Sequence, residues 1–165
     1  MKLPDPKDLC NRLAEAMRPQ VTPDTVLVGI HTGGVWVAEC LHGMLGLVTP
    51  LGSVDTGYHR DDHRLGGSLK AGGRPSHLPF DVEGAHLVIV DDVLYTGRTI
   101  RAAMNELFDY GRPARVDLAV LVDRGGRELP VAATWCPHAM DLPASRMLVL
   151  EKEADGTLAF SLSEK

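Results

Sequence analysis

The chain has 165 residues, 44% hydrophobic and 24% charged, with a formal net charge of -5. That length suits one domain with a central sheet, and the acidic balance excludes a general electrostatic pull toward nucleic acid or anionic membrane, so any RNA contact needs a local basic patch. Cys10, Cys40 and Cys136 are scattered and read as reduced thiols; with no signal-like apolar core near Met1 and no run of membrane-spanning length, the expectation is a cytoplasmic protein.

Asp5 and Pro6 predict a helix start, an acid able to cap followed by proline at the first helical position. Leu9, Leu13 and Met17 then recur at helical spacing, and the helix ends before Pro19. Residues 25–30 are a buried strand that breaks at Gly33-Gly34 into a helix over 35–44, and 48–54 can return as a strand. Residues 57–84 are rich in Gly, Pro, His and charge, and read either as a mobile active-site loop or as a solvated hairpin. Leu87 to Val90 is a continuous apolar strand, as a parallel sheet covered on both faces requires. A helix over 98–108 follows, with Gly111 as its C-cap and Pro113 beyond, then a strand over 116–122. Residues 147–150 and 158–160 around Asp155-Gly156 suggest a closing hairpin. The fold class is therefore α/β, an open, mainly parallel twisted sheet with helices on both faces in a single domain over 1–165.

The informative segment runs from Val88 to Thr99. Its strand delivers two adjacent carboxylates, Asp91 and Asp92, to the C-terminal edge, where open α/β sheets bind ligands. A turn with Thr96, Gly97 and Thr99 then opens a helix, and its backbone N–H groups and hydroxyls make an anion cradle. Acids beside a phosphate cradle would repel a bare phosphate. They make sense when the ligand carries hydroxyls near its phosphate, as a ribose 5-phosphate does. A nucleotide hydrolase would want G-x-x-x-x-G-K-[ST], and a dinucleotide fold G-x-G-x-x-G; the chain has no Gly-Lys dipeptide and no G-x-G. Gly29 to Gly34 is a second strand end breaking into a glycine turn, suited to a pyrophosphate-like group. In the third element, residues 58–63, Arg60 suits a charge clamp on a leaving pyrophosphate better than His59 and His63 suit a metal pair, since no helix is indicated there.

These residues resemble the type I phosphoribosyltransferases, and among them the pyrimidine operon regulatory proteins with uracil phosphoribosyltransferase activity, the PyrR family. The resemblance lies in Val90 to Thr99, Gly111 to Arg115, Leu118 to Gly125 and Arg127 to Pro130, with support from 58–62 and 75–82, and covers about 26–133. It implies that Asp91 and Asp92 hold the ribose hydroxyls of 5-phosphoribosyl-1-pyrophosphate (PRPP) and, through it, Mg2+. Tyr95, Thr96, Gly97, Arg98 and Thr99 would bind the 5′-phosphate, and Thr32, Gly33 and Gly34 the pyrophosphate. Arg60 would act from the closing loop, and Val93, Trp135 and Cys136 would stand nearest the base. Tyr95 occupies a position where similar purine enzymes carry an acid, which favours uracil, giving UMP and pyrophosphate. The chain departs from the family at His31, at Gly33 or Gly34, at Gly126, and over 136–139. In the first helix, Asn11 and Glu15 stand where regulatory members present Thr and His.

Several alternatives stay open at this point. One is a UMP-sensing protein that binds pyrimidine leader RNA through Arg12, Arg18, Arg112, Arg115, Arg124, Arg127 and Arg146. Others are a hypoxanthine or guanine phosphoribosyltransferase, and a ligand-binding protein without turnover. Trp135 could flank the base or pack in the core. No side chain presents itself as the general base. Similar proteins form dimers and rings of dimers, so a homo-oligomer is expected.

Overall fold

The computed structural model describes residues 1–57 and 75–165. Its central sheet is parallel throughout, in the order β2-β1-β3-β4-β5. The strands are β1 (Val26–Ile30), β2 (Gly52–Val54), β3 (His86–Leu94), β4 (Arg115–Asp123) and the short β5 (His138–Ala139). β6 (Arg146–Lys152) and β7 (Leu158–Glu164) form a separate antiparallel hairpin.

Alternation along β1, β3 and β4 divides their apolar residues between two layers. Leu27, Val88, Val90, Ala119 and Leu121 pack with α1 (Pro6–Met17), α2 (Gly33–Leu45) and the hairpin residues Leu148, Leu150 and Phe160. Val26, Val28, Leu87, Ile89, Leu118 and Val120 face the other way, against Ile100, Ala103 and Leu107 of α3 (Arg98–Asp109). Helices therefore cover both faces.

Local chemistry explains most boundaries. Asp5 caps α1 by accepting from the Lys7 N–H at 3.1 Å, Pro6 fills the first turn, and Arg18 is the C-cap. β2 is shorter than the expected 48–54, because Pro50 has no N–H to give a ladder. β3 is longer than its apolar core. Asp91, Val93 and Leu94 pair with Val120, Val122 and Asp123, so the sheet continues through the acidic pair instead of ending at Val90. Tyr110 is the C-cap of α3, one residue before the expected Gly111.

The described end of the 57–84 stretch is packed. His77 and Ser53 exchange both backbone hydrogen bonds, at 2.8 and 2.9 Å, and Val82 is buried. Burial pushes the Cys10 thiol up to about 12, so the buried cysteine of α1 is unreactive at neutral pH. Among the described residues no helix is long and apolar enough to cross a membrane.

Candidate functional site

A cavity of about 360 Å³ opens at the C-terminal ends of β1 and β3. That is the edge at which open parallel sheets bind ligands, and the volume suits a small metabolite. His31, Thr32 and Gly33 line it from the first turn, Asp91, Asp92 and Val93 from β3, and Tyr95 and Thr99 from the second turn. Two elements distant in sequence complete it. Arg124 follows β4, and Arg146 to Val149 of β6 approach with Lys165.

Two helices begin at this cavity, and neither N-terminus is closed by a side chain of its N-cap residue. Thr32 precedes α2 and Gly97 precedes α3, each without a side-chain cap, whereas α1, away from the cavity, is capped by Asp5. Helix N-termini carry partial positive charge and leave N–H groups for an acceptor. An anion is the acceptor such a pair of ends favours.

Glycines bring the acids into this frame. A β-carbon on Gly33 would fall on the Asp92 carboxylate, so the first residue of α2 lies directly against that acid. A β-carbon on Gly34 would meet the Val90 carbonyl oxygen, which is how the helix start seats on β3. Asp91 is nearly buried, and its Oδ1 accepts the Asp92 N–H at 2.9 Å; Asp92 Oδ1 accepts the Val93 N–H at 2.8 Å. The two carboxylates are thus fixed by main-chain donors, with Asp92 set between the two turns. Anionic acceptors beside uncapped helix ends can serve one ligand having both hydroxyls and an anionic group.

Thr96, Gly97 and Arg98 build the second turn without lining the cavity themselves. Gly97 takes φ +93°, which favours glycine. Thr96 Oγ1 accepts the Arg98 N–H at 3.2 Å, and its carbonyl accepts the N–H groups of Glu128 and Leu129 at 2.9 and 3.1 Å. Arg98 reaches Glu128 at 3.4 Å.

Of the three residues expected near the base, Val93 lines the cavity and the other two do not. Trp135 is 6% exposed, bridges Ala119 and packs in the α1/α2 layer. A strand-end aromatic had two readings, and the core took this one. Cys136 is exposed, its Sγ donating to the His138 carbonyl at 3.1 Å. Arg60, with the rest of 58–74, lies outside the described residues.

Sequence reasoning missed the wall opposite the turns. Arg124 was expected on a basic RNA-facing surface, yet it is 4% exposed and stacks on the Tyr95 ring, 3.9 Å from its centroid. Arg127, placed on the same surface, instead pairs with Asp123 at 2.6 Å and donates to the Tyr95 carbonyl. Burial pushes the Asp123 carboxyl up, but hydrogen bonds from Arg127 and the Gly125 N–H outweigh it and hold the group below the usual aspartate range. Gly126, where the resemblance expects a basic residue, lies against Tyr95, and a β-carbon there would collide with the ring. Arg12, Arg18, Arg112, Arg115 and Arg146 remain exposed. Four of these five are tied to acids, Asp8, Glu15, Asp117 and Glu164 respectively for Arg12, Arg18, Arg115 and Arg146.

The sequence profile described as "Phosphoribosyl transferase domain" matches residues 3–137. A protein named "Bifunctional protein PyrR" from Pseudomonas paraeruginosa is 53% identical over 135 residues, covering 79% of each chain. Proteins of the same name from Pseudomonas entomophila and Nitrosococcus oceani are 52% and 50% identical, covering 91% and 87% of this chain and 89% and 82% of their own. Among solved structures, a hypoxanthine phosphoribosyltransferase from Staphylococcus aureus has a TM-score of 0.62 at 17% identity, covering 87% of this chain and 76% of its own. A purine phosphoribosyltransferase from Pyrococcus horikoshii has a TM-score of 0.59 at 25% identity, covering 81% and 82%. The structural likenesses carry the fold, while the sequence relatives span most of both chains. The parallel sheet, the paired acids and the two glycine turns thus belong to a type I phosphoribosyltransferase, and the chain is a member of the phosphoribosyltransferase family within the PyrR group.

Proposed function

We propose that the protein transfers the phosphoribosyl group of PRPP to uracil in the cytoplasm, releasing pyrophosphate and forming UMP. The observation that carries this reading is the convergence of Asp91 and Asp92 with the N-terminal starts of α2 and α3 on one cavity. In this reading the carboxylates accept from the ribose 2′- and 3′-hydroxyls. The N–H groups and hydroxyls from Tyr95 to Thr99 hold the 5′-phosphate, and those of Thr32 to Gly34 hold the pyrophosphate.

As the bond from C1 to the pyrophosphate oxygen breaks, the N-terminus of α2 takes up negative charge on the leaving group. The bond from the base nitrogen to C1 forms, and that nitrogen's proton passes to the departing pyrophosphate or to solvent water. Arg60 and the 57–84 loop belong to the same proposal, as a clamp and a lid that exclude water. Magnesium fits this site as a partner of the substrate. Asp91 and Asp92 would meet the ion through the ribose hydroxyls of PRPP, and the ion would take its ligands from PRPP and water, since no group of three His, Cys, Asp or Glu converges among the described residues. It would supply charge neutralisation to the pyrophosphate.

The test is a radiolabelled-base assay with PRPP and Mg2+, in which uracil, hypoxanthine and guanine run in parallel. Uracil alone should be converted, and Asp92→Asn should lower turnover by about 100-fold, the loss of a charge-assisted hydrogen bond or two. Conversion of none of the bases contradicts the enzyme; conversion of a purine contradicts the assignment of uracil.

The word "bifunctional" in the relatives' names favours a second role, regulation of pyrimidine biosynthesis by nucleotide-dependent binding of a leader RNA. Arg112 is exposed without an acid partner among the described residues, and Arg12 and Arg18 are exposed in surface pairs with Asp8 and Glu15 that a phosphate would have to displace. Filter binding of that RNA at two salt concentrations, with and without UMP, tests it: a UMP-dependent, salt-sensitive complex is expected, and none would remove the regulator. A homo-oligomer is part of the same reading, and sedimentation measures it.

A further inference from the structure

Arg124 joins two walls of the cavity that nothing in the sequence places together. Its Nη1 donates to the Arg146 carbonyl at 2.7 Å, and its Nη2 to the carbonyls of Pro143 and Leu142 at 3.1 and 3.4 Å. One guanidinium therefore holds the peptide that leads into β6. The same group lies over Tyr95, which belongs to the turn before α3. Beyond this anchor, Met147 to Val149 line the same cavity as the acids. Among the described residues no carboxylate pairs with Arg124, and its Nε is buried without a partner.

A cation buried without an acid is costly. Carbonyl dipoles and the face of the tyrosine ring offset part of that cost. What is left is a guanidinium without a carboxylate partner among the described residues, on the wall of the cavity that Asp91 and Asp92 also line. An anionic ligand beside it adds a favourable charge interaction to the guanidinium fork. That fork is what fixes the hairpin.

Resting on the reading of the cavity as a phosphoribosyl site, we infer that Arg124 is a positioning residue: filling of the phosphate turn is transmitted through Tyr95 and Arg124 to β6, setting the hairpin wall against the base. The hairpin lies beyond residue 137, where the family match ends. The wall so positioned is built by the C-terminal segment, β6 and β7. Lysine at position 124 keeps the charge but lacks the planar fork that reaches three carbonyls and stacks on a ring.

The experiment uses the full chain and two probes, ribose 5-phosphate and UMP, in titration calorimetry. In the unaltered protein UMP should bind more tightly, and the ratio of the two Kd values measures what the base adds. Arg124→Lys should weaken UMP about tenfold more than it weakens ribose 5-phosphate, so that the ratio shrinks by that factor. A ratio unchanged by the substitution, or equal losses for both probes, overturns the inference. Hydrogen exchange on the unaltered protein needs no variant: ribose 5-phosphate alone should raise amide protection in β6 and β7, and no change there overturns the inference. An unaltered protein that binds neither probe sinks the phosphoribosyl reading itself, a result distinct from binding of both with the ratio intact in Arg124→Lys.

Discussion

A β-carbon at Gly33 would occupy the place of the Asp92 carboxylate, although the two residues belong to different strand-helix turns. Gly33→Ala should therefore weaken ribose 5-phosphate binding about tenfold or more by turning that acid aside, with a small effect on melting, since alanine is a good first residue for a helix. Calorimetry together with a thermal melt checks both halves. Gly97→Ala behaves differently. With φ at +93° and Val131 at 3.2 Å from the added carbon, the change should cost about 1–2 kcal/mol of stability, read from a denaturant titration. Residues of this kind were legible only as turn formers. That Asp91 and Asp92 precede a glycine turn is written in consecutive letters, but that Gly33 makes room for Asp92 is a contact across the sheet. Arg124 is the sharper case. Its charge suggested a surface, and only the approach of Tyr95 and the hairpin shows why it is buried.

The parallel pairing of β3 with β4 ends, away from the cavity, in a polar cluster. Asp117 accepts from Arg115 at 2.8 Å, from Thr134 at 3.1 Å, and pairs with His86 at 2.7 Å. Burial pushes the Asp117 carboxyl up, but these three donors outweigh it and hold the group below its ordinary value. A carboxylate with a lowered folded pKa stabilises the fold fully above the unfolded aspartate value of ~3.9, and that contribution is lost as the pH falls through the lowered folded value. Asp117→Asn should thus cost about 1–3 kcal/mol at neutral pH and make the acid limb of the stability curve shallower. Urea titrations from pH 7 to 3 measure this; an acid limb identical in the two proteins would contradict it. The elements themselves were largely readable, because caps, prolines and apolar runs act within a few residues. α1 begins at its expected Asp5-Pro6 start, and α3 begins at Arg98 as its turn requires. The extension of β3 through the acids was not readable, since it depends on a nine-residue partner in β4 and not on β3's own apolarity.

In the whole molecule two apolar layers share one sheet, so neither can melt while the other stays. Leu13→Ala on α1 and Leu107→Ala on α3, both fully buried in opposite layers, should each cost about 2–5 kcal/mol and add nearly independently in the double variant. A single unfolding transition should persist in each, followed by circular dichroism and tryptophan fluorescence together. The α/β class was legible from alternating strand and helix patterns. The assignment of each strand residue to a layer was not, because β1, β3 and β4 are apolar on both faces and lose the alternation that marks a half-exposed strand. The same ambiguity left Trp135 open between base and core, and nothing in the sequence placed the expected C-terminal hairpin at the rim of the site.

A crystal of the full chain soaked with ribose 5-phosphate tests the central claim most directly. The sugar hydroxyls should lie within hydrogen-bond distance of Asp91 and Asp92, with the phosphate on the amides between Tyr95 and Thr99. A ligand bound elsewhere, or one whose phosphate avoids that turn while both acids face the protein, would contradict the account.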